Sequence, residues 1–207
     1  VGPTGSGKST TMRMMVGLTR PDTGCVRYNG VPYSDLERPV ATIGVALDAS
    51  AHPGRTARNH LRTMCAASGL DSSRVDDVLA EVGITTVADQ RVGGFSLGMR
   101  QRLALAGALL GEPETLLLDE PANGLDPDGI RWLRSFLRGY ADRGGAVFVS
   151  SHLIAELARF ADDLVVIGAG RMLAAAPVNE IVNDAERSVL IESPQGEELT
   201  ALLRARA

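Results

Sequence analysis

Cysteine is scarce in this 207-residue chain: only Cys25 and Cys65 occur, far apart, with no C-x-x-C pair and no histidine at ligand spacing. That pattern argues against a disulfide framework and against zinc, and it suits reduced thiols in a cytosolic protein. Long apolar runs are missing as well. No stretch reaches the ~18 residues a membrane span needs, and no signal-peptide pattern with a basic start is visible. Work at a membrane would therefore need a partner that crosses it. Positive charge is not in excess: 21 lysines and arginines against 25 acidic residues leave a net charge of -4, so no overall field collects nucleic acid or anionic lipid. Phosphate binding has to be local. Internal repeats and low-complexity linkers are also absent, which leaves one globular domain, or a domain with a small appendage.

What is present begins at once, in VGPTGSGKSTT. Gly2-Pro3-Thr4-Gly5-Ser6-Gly7-Lys8-Ser9 matches the phosphate-loop pattern G-x-x-x-x-G-K-[ST] in full. Glycines permit backbone angles and close approaches that a β-carbon forbids, so successive N–H groups can point at phosphate oxygens. The helix that starts near Lys8 adds roughly +0.5 of an elementary charge at its N-terminus. Lys8 is expected to reach the β- and γ-phosphates, and the Ser9 hydroxyl to ligate Mg²⁺.

Downstream, a helix is expected over 9–16, with Met12, Met15 and Val16 on one face and Gly17 as its stop. A short strand over 25–28 enters a hairpin at Asn29-Gly30, and a β-branched strand over 40–47 ends at Asp48. An amphipathic helical stretch covers 56–82, broken at Ser68-Gly69 and restarted by Asp71 or Ser72. A further helix runs from Ser96 to about residue 110, closed by Gly111 and Pro113. The apolar run 116–118 suits a strand buried on both faces. A helix over 128–143, a strand over 146–149, a helix over 154–160 and a strand over 164–167 then alternate, which predicts a parallel sheet with crossover helices. One more helix beyond Pro177 and a strand-like 188–191 complete the pattern.

The buried strand ends in Asp119-Glu120, at the carboxyl edge of a parallel sheet, where ligands of such sheets bind. Successive residues point to opposite faces, so the two acids are expected to have different roles. Asp119, taken as nearer the loop, is suited to hold Mg²⁺ through water; Glu120 would face an attacking water as general base. His152 closes another parallel strand and is placed to hydrogen-bond a γ-phosphate. His52 and His60 have no partners in view and read as surface or packing residues.

Phe95-Ser96-Leu97-Gly98-Met99-Arg100-Gln101-Arg102 resembles the signature motif of ABC ATPases, commonly written LSGGQ. With the loop, Asp119-Glu120, the D-loop-like Asn123-Gly124-Leu125-Asp126 and Ser150-Ser151-His152, five motifs stand in the family's order. The resemblance extends to about Val182, and the FSLGM variant is most similar to ATPase subunits of bacterial ABC-2 type multidrug and daunorubicin-resistance exporters. It implies an α/β P-loop NTPase core with a parallel sheet flanked by helices, a small antiparallel β region and a helical insert. The implied division is a nucleotide-binding domain over 1–182, with 1–49 and 112–182 as RecA-like core and 50–111 as helical signature subdomain, then a C-terminal extension from 183 to 207.

The same resemblance implies a Mg²⁺-dependent ATPase that binds ATP through Gly2, Pro3, Thr4, Gly5, Ser6, Gly7, Lys8, Ser9 and Thr10. Glu120 and His152 are the implied catalytic residues, and Ser9, Asp119 and Asp48 the implied metal ligands. Two such domains pair head to tail, a homodimer being the expectation, so that Ser96, Gly98 and Asp126 meet the nucleotide held by the other copy. The cycle would pass through the helical insert to membrane-spanning permease subunits of ABC-2 type, placing the chain at the cytoplasmic face of the membrane, with no nucleic acid involved. Three departures stand out: Leu97 replaces a usual Gly and Met99 a usual Gln, Asp48 takes the place of another Gln, and the strands and adenine-stacking aromatic residue that precede the loop in the family are absent from these residues. The last points to truncation at both ends and to a loop without its anchoring strand. A soluble ABC ATPase acting on ribosomes or DNA, a small-molecule P-loop kinase and an inactive fragment are the alternatives.

Overall fold

Three leucines set the centre of the molecule. Leu116, Leu117 and Leu118 are at most 1% exposed and form most of β4 (Thr115–Leu118). A strand buried on both faces needs parallel neighbours, and β4 has two: β3 (Ile43–Ala46) pairs Ile43 with Thr115, and β5 (Ala146–Val149) pairs Thr115 with Ala146. The structure, a computed structural model, describes residues 1–186.

Helices cover this sheet. α1 (Lys8–Met15) buries Met12 against Val16, Ile43 and Leu117 on one face. On the other, α6 (Pro127–Asp142) contributes Leu133 and Leu137 to a core that continues into the helical region. That region consists of α3 (Ala57–Ser68), α4 (Val75–Glu81) and α5 (Leu97–Leu109), and its buried residues Leu61, Cys65, Val78, Leu79 and Leu103 share one apolar cluster with Leu116 and Leu118. Caps fix where the helices start: the side chains of Thr56, Ser96 and Asp126 each accept a backbone N–H three residues on. The early hairpin pairs β1 (Arg27–Tyr28) with β2 (Val31–Pro32) through Asn29 and Gly30, both at positive φ, as a two-residue primed turn requires.

Three expectations are corrected. The strand expected over 40–47 begins late: Pro39 opens a one-turn helix, α2 (Pro39–Thr42), and only Ile43–Ala46 is extended. Proline suits a first helical turn, where its missing N–H is not needed. The helix expected over 154–160 is regular only in α7 (Ile154–Leu157). The strand after it, β6 (Asp163–Gly168), pairs antiparallel with β7 (Arg171–Pro177), outside the three-stranded parallel sheet. β7 was not expected at all; Ala169 and Gly170, both at positive φ, form the tight turn that makes it. α8 (Val178–Glu186) follows, and the strand-like 188–191 lies outside the described residues. Among the described residues, no helix is long and apolar enough to cross a membrane.

The chain's first residues join the two sheets. The Val1 ammonium donates to Val165 O at 2.6 Å, and Ile167 N donates to Val1 O at 2.8 Å, a parallel-ladder bridge opposite Val166. Gly2 N reaches Ser151 O at 3.3 Å, just past β5. The expectation of an unanchored loop is thereby overturned: residues 1 and 2 are held on both sides. Beside them, β5 and β6 flank an apolar cleft of about 430 Å³ lined by Phe148, Leu157 and Val165, which is why Phe148 is 38% exposed.

Candidate active site

The glycine loop is shaped by contacts that exclude side chains. A β-carbon on Gly2 would sit 2.1 Å from Ile167 O, and Gly7 holds φ +106° as the residue before α1. Gly7 offers no side-chain cap, so the first N–H groups of α1 have no side-chain partner there. Ser6 N bonds Pro3 O at 3.1 Å, and Gly170 N, in the β6–β7 turn, donates to Ser6 O at 3.0 Å. Inside the curl stands Lys8, 9% exposed, its Nζ donating to Gly2 O at 2.6 Å and Pro3 O at 3.2 Å. Ser9 and Thr10 lie exposed on the first turn of α1.

Two acids leave the end of β4, and the fold separates their tasks. Asp119 continues the ladder, its N–H on Ala46 O at 2.9 Å, and its carboxylate accepts from the Ser150 hydroxyl. Glu120 turns into the left-handed region at φ +46°, with its N–H on Ser150 Oγ at 2.9 Å. That turn sends its carboxylate toward the loop. Glu120 Oε1 lies 3.3 Å from Lys8 Nζ, and Oε2 lies 2.9 Å from His152 Nδ1, which donates in the tautomer protonated there. Lys8, Glu120 and His152 thus form one connected group, and Glu120, not Asp119, is the acid paired with Lys8.

The remaining expected residues fall elsewhere. Asp48 is exposed and accepts the Ser50 N–H at 2.8 Å; among the described residues, no three His, Cys, Asp or Glu side chains gather around a cation-sized point. Ser96 caps α5 by accepting the Met99 N–H at 3.2 Å, and Asp126 caps α6 by accepting the Gly129 N–H at 2.9 Å. These two caps belong to one patch. A β-carbon on Gly98 would lie 3.3 Å from Leu125 Cδ2, and one on Gly124 would lie 2.0 Å from Leu97 Cδ2. Among the described residues, no hydrogen bond or ion pair joins the patch to Lys8 or the loop.

Sequence reasoning missed Ser150 as a member of the site; a hydroxyl directly after a buried strand, two residues before His152, is the signal that could have found it. It also missed Arg102, which donates to Val82 O at 2.7 Å and lies 3.7 Å from the centre of the Trp132 ring, tying α5 to α4 and α6.

The residues suit a polyphosphate. Ser6 Oγ is buried without a hydrogen-bond partner, Gly5 at φ +80° faces open space, and a buried ammonium sits beside an uncapped helix start. They also suit Mg²⁺, which takes one or two protein oxygens and keeps its waters; the hydroxyl of Ser9 and the carboxylate of Asp119 are hard oxygen donors of that kind.

Known proteins resemble this chain in sequence and fold. The family model described as ABC transporter matches residues 1–123. The bacitracin transport ATP-binding protein BcrA of Bacillus licheniformis is 36% identical over 185 residues, which is 87% of this chain and 60% of that protein. The lantibiotic transport ATP-binding protein SrtF of Streptococcus pyogenes is 33% identical over 174 residues, 84% of this chain and 75% of that protein. A solved ATP-binding subunit of an ABC transporter has a TM-score of 0.77 at 27% identity, covering 90% of this chain and 80% of that one. The chain therefore spans less than two thirds of the length of the bacitracin protein. With the family match over more than half of its residues, the chain belongs to the ABC transporter family, among the ATP-binding subunits.

Proposed function

We propose that this chain binds ATP and hydrolyses it to ADP and phosphate, as the nucleotide-binding part of an exporter of peptide antibiotics, drugs, lipids or similar compounds. The observation that carries the reading is the joining of Lys8, Glu120 and His152, brought from three separate elements to within hydrogen-bond or ion-pair distance. In this reading Lys8 and the N–H groups of residues 2–10 bind the phosphates. Glu120 accepts the proton of the attacking water, and His152 holds its second carboxylate oxygen in place. Ser9 and Asp119 would hold Mg²⁺, which would supply neutralisation of the phosphate charge. Asp48, exposed beyond the end of β3, is a further candidate for the same ion.

Ser96, Gly98 and Asp126 form a patch of their own at two helix starts, so they serve the nucleotide held by a second copy, paired head to tail. Membrane-spanning permease subunits would take up the motion through the helical region, and the chain would sit on the cytoplasmic face of the membrane. The names of the bacitracin and lantibiotic relatives support the transport reading.

Phosphate release from Mg²⁺-ATP tests the chemistry. General bases contribute about 10² to 10⁴-fold, so Glu120→Gln should lower turnover by that order while nucleotide affinity persists. Turnover by Glu120→Gln at the wild-type rate would remove Glu120 from the base role.

A further inference from the structure

Ser150 is 4% exposed and follows directly on β5, in register with Asp119. Its N–H continues the ladder to Leu118 O at 2.9 Å. Its hydroxyl has two partners: it donates to Asp119 Oδ1, and its oxygen accepts the Glu120 N–H at 2.9 Å. A serine hydroxyl carries one proton. With that proton committed to the carboxylate, the Glu120 amide is received on a lone pair, and both directions are set. Glu120 needs such a hold, because a residue with a β-carbon stays at φ +46° only where its surroundings over-determine it.

We propose that Ser150 is a positioning residue whose single hydroxyl sets both acids, aiming the Asp119 carboxylate at the metal and holding the Glu120 backbone in the turn that brings its side chain to Lys8 and His152. The inference rests on the reading of this site as a Mg²⁺-ATP site. Hydrogen bonds to ionised acceptors are the stronger kind, and losing an outer partner of a metal-binding carboxylate costs about 10 to 100-fold in metal affinity.

Two measurements on the 207-residue chain test it, with Ser150→Ala and Ser150→Thr compared with wild type. Thr keeps the hydroxyl, and its extra methyl group can enter the cavity of about 380 Å³ that Ser150 lines. Hydrogen exchange at the Glu120 amide, followed by NMR without nucleotide, should quicken about tenfold in Ser150→Ala and return toward wild type in Ser150→Thr. Affinity for a fluorescent ATP analogue, measured in EDTA and in Mg²⁺, should show that Ser150→Ala loses about 10 to 100-fold of the Mg²⁺-dependent gain, the ratio of the two affinities, again recovered by Thr. A serine with a merely structural role would lower the melting temperature and leave the ratio of the two affinities alone. Wild-type exchange and a wild-type Mg²⁺ gain in Ser150→Ala overturn the proposal. A wild-type chain with no Mg²⁺-dependent binding overturns the site reading instead, and the exchange measurement still decides whether Ser150 holds Glu120.

Discussion

Gly124 has φ +72°, and the Leu97 side chain occupies the space where a β-carbon would be. Two penalties therefore meet at Gly124→Ala, one from the left-handed backbone and one from Leu97. The backbone penalty is about 1–3 kcal/mol for a non-glycine residue. The steric part should be smaller, because Leu97 is 50% exposed and can swing aside. Gly124→Ala is expected to lower unfolding stability by roughly the backbone amount, and Leu97→Ala in the same chain to recover only the remainder. Urea unfolding of both single variants and the double variant measures the coupling. None of this contact was legible in the sequence, where Leu97 reads only as a departure from a glycine. Lys8, Glu120 and His152 were legible because their spacing to strand and helix ends is a local pattern. The Lys8–Glu120 pairing was not, since it depends on a left-handed turn at a glutamate, a conformation that side-chain identity does not announce.

Among the elements, α3 shows how burial makes a helix sensitive to pH. His60 is half-buried on it, its Nδ1 has no hydrogen-bond partner, and burial, then the charge of Arg55, lowers its pKa. The unfolded chain thus takes up the proton more readily than the folded one. Stability is unaffected well above the ordinary histidine pKa of about 6.5, declines as pH falls through it, and levels off below the depressed folded value. A thermal melt series from neutral pH toward pH about 5 should show this decline, and His60→Gln should flatten it. Arg58 works in a different window. Its hydrogen bond to Asp89, at 2.9 Å, holds the Asp89 carboxylate below its usual range, so that contribution is lost only at lower pH, as Asp89 protonates. Most helix starts were readable, because Thr56, Asp71, Ser96 and Asp126 are capping types placed before helix-forming runs. The β6–β7 hairpin was not: the alanines of β7 carry no strand preference, and the pairing partner, not the residue types, makes it extended.

For the whole molecule, the expected site residues fall in two groups. The loop, Asp119, Glu120 and His152 gather at the carboxyl edge of the parallel sheet, while Ser96, Gly98 and Asp126 gather at the starts of α5 and α6. If a second copy supplies the latter group, Glu120→Gln with Mg²⁺-ATP should sediment as a dimer, since slow hydrolysis leaves the nucleotide between the copies. Ser96→Arg should keep that variant monomeric while its own loop still binds nucleotide. Sedimentation velocity with and without nucleotide distinguishes these outcomes, and a monomer in both variants would count against head-to-tail pairing.

The Leu97–Gly124 contact has one more consequence, for how such a chain can vary over generations. Left-handed backbone alone would admit asparagine at position 124, because Asn tolerates that region better than other side chains. With Leu97 resting where the new β-carbon would go, that route also requires Leu97 to swing aside or shrink. The two positions are therefore coupled: leucine at 97 adds a steric cost to leaving glycine at 124, and a smaller residue at 97 leaves only the backbone cost.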